Sequence, residues 1–223
     1  MIQNTEAANV LNNLLKQIEF PYIVKDPEHI ISSLVDKQRR DIYGFRGDSV
    51  CNYAIHKYCQ SRFRYDEERD NIKFNSCLEN QLKSNEQFEK YFDYLNMSEL
   101  LQCKISTYCK ETALNDQRVN CLKQLKEKSS IHLKGTIFEA LIALLEEDFE
   151  THIVDDELRE IDRNNSFVQQ LMTCIIDKYY NFNDYFKYIY HYNNDLPFNE
   201  NFDYKTVIKE LNERHHKHRG WWH

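Results

Sequence analysis

The stretch that decides the fold reads Asp41-Ile-Tyr-Gly-Phe-Arg-Gly-Asp48-Ser-Val-Cys-Asn-Tyr-Ala-Ile-His-Lys-Tyr58. Its apolar residues recur every three to four positions, which is the spacing of a buried amphipathic helix: Ile42, Phe45, Val50, Tyr53, Ala54 and Tyr58. Gly44 and Gly47, near its start, allow another segment to approach closely. Asp48 is either exposed on a polar face or, if it is buried, paired or bound to a metal.

A second stretch, Lys134-Gly-Thr-Ile-Phe-Glu139-Ala-Leu-Ile-Ala-Leu-Leu145, is the most apolar run in the chain and again carries one acidic residue. Two apolar helices with one acid each can bring Asp48 and Glu139 to one point. Such a point is a candidate site for a hard divalent cation, which prefers oxygen ligands.

Both stretches resemble the signatures of the ribonuclease III domain family. The first family signature is Phe-Leu-Gly-Asp followed by a small residue and Val, and the chain has Gly44-Phe45-Arg46-Gly47-Asp48-Ser49-Val50. The second is Asp-x-x-Glu-Ala-Leu-Ile-Gly-Ala, and the chain has Thr136-Ile-Phe-Glu139-Ala-Leu-Ile-Ala-Leu144. The Asp26-Pro27 turn and the helix start at Ser84-Asn85-Glu86 are similar to two further family blocks. The resemblance covers about residues 10 to 155 and implies an all-α, ribonuclease III-like helical domain.

The resemblance also implies a site. In the family, four carboxylates on two helices hold magnesium, which activates water for attack on a phosphodiester. Asp48 and Glu139 stand at two of these positions, whereas Gly44 and Thr136 stand at the other two. Asp41 lies seven residues before Asp48, about 10 Å of helix rise, which is too far for both to share one ion without distortion. We therefore expect an impaired centre with weak or absent magnesium binding.

Two other functions remain open at this stage. In the first, the chain is an active magnesium-dependent endoribonuclease for double-stranded RNA that uses Asp48 and Glu139, with Asp41 and Thr136 contributing through water. In the second, it is a protein-interaction module without a role in RNA. The expectation we favour is a catalytically impaired structural or RNA-positioning subunit of a ribonucleoprotein or RNA-processing complex.

We expect residues 1–155 to form the ribonuclease III-like domain and residues 156–223 to form a helical C-terminal extension. Within the extension, Phe202–Leu211 resembles the opening helix of a double-stranded-RNA-binding domain, but the strands and second helix of that module do not follow. This segment is either a remnant or an accidental likeness. The tail after it is basic and aromatic, and its candidate phosphate contacts are Arg214, Lys217 and Arg219.

Charge limits the RNA hypothesis. The 223-residue chain has a net charge of −7, and binding to duplex RNA depends on basic residues that release counterions from phosphates. Outside the tail, the candidate basic cluster is Arg39 and Arg40 with Arg46. We therefore expect double-stranded or structured RNA to be bound together with partner subunits.

The resemblance implies pairing of two domains, because an aromatic residue in the first signature helix inserts into the partner domain. Phe45 holds that position, so we expect a homodimer or a heterodimer with another ribonuclease III domain, the alternative role of Phe45 being ordinary core. The sequence contains no run that approaches a membrane span and no evident presequence. Its seven cysteines form no Cys-x-x-Cys pair, which disfavours zinc and suggests reduced thiols in an intracellular compartment.

Overall fold

A computed structural model of the chain describes residues 5–62, 79–104, 111–127, 130–152 and 166–180. Within these ranges the protein is all-α, as predicted, and contains no strand. The helices are α1 (Glu6–Gln17), α2 (Pro27–Val35), α3 (Lys37–Arg62), α4 (Asn85–Tyr94), α5 (Met97–Leu100), α6 (Glu111–Gln124), α7 (Ile131–His152) and α8 (Phe167–Tyr180).

Side-chain caps fix the starts of several helices. The Asp26 carboxylate accepts a hydrogen bond from the His29 backbone N–H at 3.0 Å, and proline follows as the first residue of α2. Ser84 accepts from the Gln87 N–H at 3.2 Å at the start of α4. Each bond satisfies a backbone donor that the first helical turn leaves unpaired. The helix starts predicted at Asp26 and Ser84 are therefore confirmed.

Helix α7 lies at the centre of the core, where it packs on α3 and on α4. Every residue from Ile137 to Leu145 is buried, which explains why this run is so apolar. Helix α8, from the predicted C-terminal extension, packs on α3 and shares the same core.

The buried face of α3 differs from the one that the sequence predicted. Small residues line it where α7 crosses, and larger ones follow: Gly44, Gly47, Cys51, Ala54, Ile55 and Tyr58. The interpretation of the apolar spacing as one buried face was wrong for Ile42 and Tyr53, whose side chains are exposed, and the exposure of Phe45 removes only the alternative in which it belongs to the core. The close approach of α7 requires the small side chains, so the face that carries the larger apolar groups turns outward.

A buried carboxylate ties the segment before α2 to the core. Asp148 on α7 accepts hydrogen bonds from the Tyr22 hydroxyl at 2.7 Å and from the backbone N–H groups of Lys25 and Asp26 at 2.9 and 2.8 Å. Three donors stabilise the buried charge of this residue. Asp148 is therefore a structural residue.

Several sequence predictions concern residues outside the described ranges. They include the segment similar to a double-stranded-RNA-binding domain and the three basic tail residues Arg214, Lys217 and Arg219. Among the described helices, none combines the length and the apolar character needed to cross a membrane.

Candidate acidic site at the crossing of α3 and α7

The backbones of α3 and α7 touch where the two signature stretches cross. A Cβ atom added to Gly47 would lie 2.0 Å from the carbonyl oxygen of Glu139, and one added to Gly44 would lie 2.6 Å from Cγ2 of Thr136. The first distance is impossible for any residue except glycine, because the obstacle is backbone. The glycine of the first signature is thus explained by the close approach of the second signature helix.

This crossing brings the two acidic side chains together. Glu139 is only 8% exposed, whereas Asp48 lies on the exposed side of the crossing. Burial raises the pKa of Glu139 to about 7, and the negative charge of Asp48 adds to the rise. The Glu139 carboxyl group is therefore only partly ionised at neutral pH, and a nearby cation would favour its charged form.

Two neighbours complete the surroundings of the acidic pair. The Asn52 side-chain amide donates a hydrogen bond to Asp48 Oδ1 at 2.9 Å, one helical turn further along α3. The Cys51 thiol is fully buried, and its pKa is raised well above the ordinary value, first by burial and then by the charges of Glu139 and Asp48. The buried thiol is neutral and therefore does not offset the negative charge of the two carboxylates.

The other two positions of the expected site contain no acid. Gly44 has no side chain, and the Thr136 methyl group fills the space beside it. The Thr136 hydroxyl donates to the backbone carbonyl of His132 at 2.9 Å. Asp41 does not fill the gap, since it lines a separate cleft beside α6.

These residues do not fit a four-carboxylate magnesium centre. In the part of the chain that the structure describes, no group of three or more His, Cys, Asp and Glu side chains could hold a metal ion. Asp48 and Glu139 supply two carboxylates, to which Asn52 and Thr136 could add neutral oxygens. We therefore derive no catalytic step through magnesium from this arrangement.

The three arginines of α3 that were expected to contact RNA lie in different surroundings. Arg39 is exposed near the start of α3, whereas Arg40 is buried. The Arg46 guanidinium forms ion pairs with three carboxylates of α7, at 3.1 Å to Glu146, 3.1 Å to Glu147 and 3.4 Å to Glu150. The Arg46 side chain is 39% exposed but paired, so among these three arginines only Arg39 is exposed without a carboxylate partner in the described ranges.

Phe45 is 82% exposed, which excludes the alternative of a core residue. Ile42 and Tyr53 are also exposed, and the three positions fall on one face of α3. We call these three residues the apolar stripe. The stripe runs along the outer side of the helix that carries Asp48.

Sequence reasoning missed two features of the site. Asn52 could have been found, because it follows Asp48 by four residues and hence lies on the same face of a helix. The glutamates that bind Arg46 could not, since the pairing depends on how α3 and α7 cross.

Comparisons with known proteins add no family to this description: no protein-family model matches the chain, and no curated protein or solved structure is significantly similar to it.

Proposed function

We propose that this chain is a ribonuclease III-like, RNA-associated protein that acts as a catalytically impaired structural or RNA-positioning subunit of a larger complex. The observation that supports it best is the crossing of α3 and α7. Asp48 and Glu139 meet there, as the resemblance to ribonuclease III domains implies, while Gly44 and Thr136 replace the other acids. The family's chemistry uses four carboxylates, and this pair supplies half of that negative charge.

The close packing of Gly44 against Thr136 supports an impaired catalytic centre rather than the loss of a single metal-binding carboxylate. An acid at position 44 would place its Cβ 2.6 Å from the Thr136 methyl group. The two positions therefore constrain each other, and one substitution alone would not restore the absent carboxylates. This argues for a protein that has kept the architecture of the site for a purpose other than cleavage.

The charge distribution supports RNA contacts that are shared with partners. Three glutamates neutralise Arg46, and the whole chain carries a net charge of −7. Arg39 remains as an exposed cation on α3, next to the signature stretch. One exposed arginine is too small a footprint for an independent duplex-binding protein.

Binding to RNA tests this function directly. Because the exposed basic footprint is small, we expect the purified protein alone to bind long duplex RNA weakly in a fluorescence anisotropy assay, with an affinity that falls as salt is raised. An Arg39→Glu substitution should weaken binding and reduce the salt slope. The control Lys104→Glu, at an exposed lysine outside α3, should change neither. Absence of salt-sensitive binding would contradict the proposal and favour the protein-interaction module.

We also propose that the apolar stripe is the surface through which two such domains pair. Exposed large apolar groups in a row are typical of association surfaces. The protein should form dimers by analytical ultracentrifugation, and Phe45→Asp should make it monomeric. Val119→Asp is the matched control, because Val119 is an exposed apolar residue on α6. If the wild-type protein is monomeric, the remaining form of the proposal is pairing with a different ribonuclease III domain. A mixed dimer that depends on Phe45 would support that form.

The active endoribonuclease remains the second candidate. The observation that favours it is the retained acidic pair, because a divalent cation beside Asp48 would lower the pKa of Glu139 and relieve their repulsion. In that case water molecules would fill the coordination positions that Gly44 and Thr136 leave open.

A further inference from the structure

A polar cleft separates the N-terminal end of α3 from α6. Its volume is about 750 Å³, within the range of small-molecule sites. Arg40 lines this cleft although the residue is only 4% exposed. The cleft lies away from the acidic pair and uses neither Asp48 nor Glu139.

Arg40 is a buried cation without a counterion. Its Nη1 donates to the carbonyl oxygens of Leu34 at 3.0 Å and Val35 at 3.4 Å, at the end of α2, and to Cys121 Sγ at 3.5 Å. Its Nε has no hydrogen-bond partner, and no carboxylate lies within ion-pair distance of the guanidinium in the described ranges. The two carbonyl oxygens at the C-terminal end of α2 offset part of this buried charge, and an anion bound at the guanidinium would offset the rest.

The remaining lining is suited to a polar ligand with a charged end. Lys37 and Lys123 add positive charge near Arg40. Three amide side chains supply further donors and acceptors, and they are Gln117, Asn120 and Gln124. The lining also contains three carboxylates, those of Asp36, Asp41 and Glu127, which can accept hydrogen bonds from the hydroxyl groups of a ligand. The lining contains few apolar groups, which disfavours a hydrophobic ligand.

We propose that this cleft binds a phosphate monoester carried on a small polar body such as a nucleoside. The planar guanidinium of Arg40 matches the oxygens of phosphate, and Lys37 and Lys123 balance its second charge. The amides and Asp41 hold the hydroxyl groups of the polar body. This site does not rest on the proposed function, since it uses neither the acidic pair nor the apolar stripe.

Isothermal titration calorimetry with adenosine monophosphate tests the proposal. The full-length protein should bind this nucleotide at least about 10-fold more tightly than adenosine, because only the nucleotide carries the charge that Arg40 requires. Arg40→Lys should weaken binding about 10-fold or more, since lysine cannot reproduce the fork of donors. Arg118→Lys, at an arginine of α6 that does not line the cleft, should leave the affinity within twofold.

Arg40 also caps the C-terminal end of α2, so the Arg40→Lys variant can lose stability as well as ligand binding. A second variant therefore tests the site without changing this cap. Lys123 is exposed and lines the cleft, so Lys123→Gln should weaken nucleotide binding several-fold without changing the melting temperature. Lys126→Gln, an exposed lysine outside the cleft, is its control. No nucleotide binding, or equal affinities in the wild type, Arg40→Lys and Lys123→Gln, would overturn the proposal.

The monoester could belong to a free nucleotide or to the 5′ end of an RNA. Competition by a short single-stranded oligoribonucleotide distinguishes these sources. Displacement of the nucleotide by the 5′-phosphorylated form, but not by the 5′-hydroxyl form, supports the site and assigns an RNA end to it. Failure of both forms to compete, with nucleotide binding intact, supports the site and assigns a free small molecule.

Discussion

Replacing Glu139 by glutamine should stabilise the protein at alkaline pH and leave it unchanged at acidic pH. Burial, together with the charge of Asp48, raises the pKa of Glu139 from 4.5 to about 7 in the folded protein. The folded state therefore binds the proton more tightly than the unfolded state does. The stabilising contribution of protonated Glu139 is complete below about pH 4.5, and it is lost as pH rises through 7.

The magnitude follows from the two pKa values. Each unit of pKa corresponds to about 1.4 kcal/mol, so the interval from 4.5 to about 7 corresponds to about 3 kcal/mol of the free energy of unfolding. Glutamine has nearly the same shape and carries no charge at any of these pH values. Glu139→Gln should thus exceed the wild type by about 3 kcal/mol at pH 8 and match it near pH 4.5.

Urea denaturation of both proteins from pH 4.5 to 8 measures this difference. The Asp48→Asn variant should show a smaller gain, because burial contributes more than Asp48 to the raised pKa. Asp116→Asn, at an exposed carboxylate of α6, is the control and should show little pH-dependent difference. A difference between Glu139→Gln and the wild type that stays constant across this range would refute the reasoning.

Three further predictions concern the packing around the site. Gly47→Ala should lower the free energy of unfolding by about 3 kcal/mol or more, measured by urea denaturation, because its Cβ would overlap the backbone of α7. Gly44→Ala should cost less, about 1 to 2 kcal/mol, and adding Thr136→Ser should recover most of that loss by removing the methyl group in the way; an equal loss in the single and double variants would contradict this explanation. Asp148→Asn should cost about 2 kcal/mol at pH 7, because the amide cannot accept all three hydrogen bonds, and an unchanged unfolding midpoint would argue against the structural role.

Local signals explain what the sequence could predict. Apart from Glu139, the run from Ile137 to Leu145 is apolar on all sides, so its burial followed from composition. Asp26 and Ser84 mark helix starts because their side chains satisfy backbone donors within three residues. Both kinds of inference depend only on residues that are close in the chain.

The outward face of α3 could not be predicted in the same way. Apolar spacing indicates a helix, but Gly44 and Gly47 show which face is buried only once α7 is known to cross there. For the same reason, the apolar spacing could not decide whether Phe45 lies at a pairing surface or in the core, and the structure shows it exposed.

The arginines illustrate the same limit. Arg39 and Arg40 are adjacent and chemically identical, yet the first is exposed and the second is buried against the end of α2 and Cys121. Arg46 pairs with glutamates that lie about a hundred residues away in the chain. Their surroundings depend on tertiary packing, which local charge patterns do not encode.

Cleavage of labelled long duplex RNA tests the proposal of an impaired catalytic centre most directly. The purified protein and its Glu139→Gln variant are incubated with magnesium or manganese, beside an active ribonuclease III as the positive control. We predict that neither the protein nor the variant cleaves the RNA, because Gly44 and Thr136 supply no carboxylate. Cleavage by the wild type that disappears in Glu139→Gln would contradict this account and show that Asp48 and Glu139 suffice for hydrolysis.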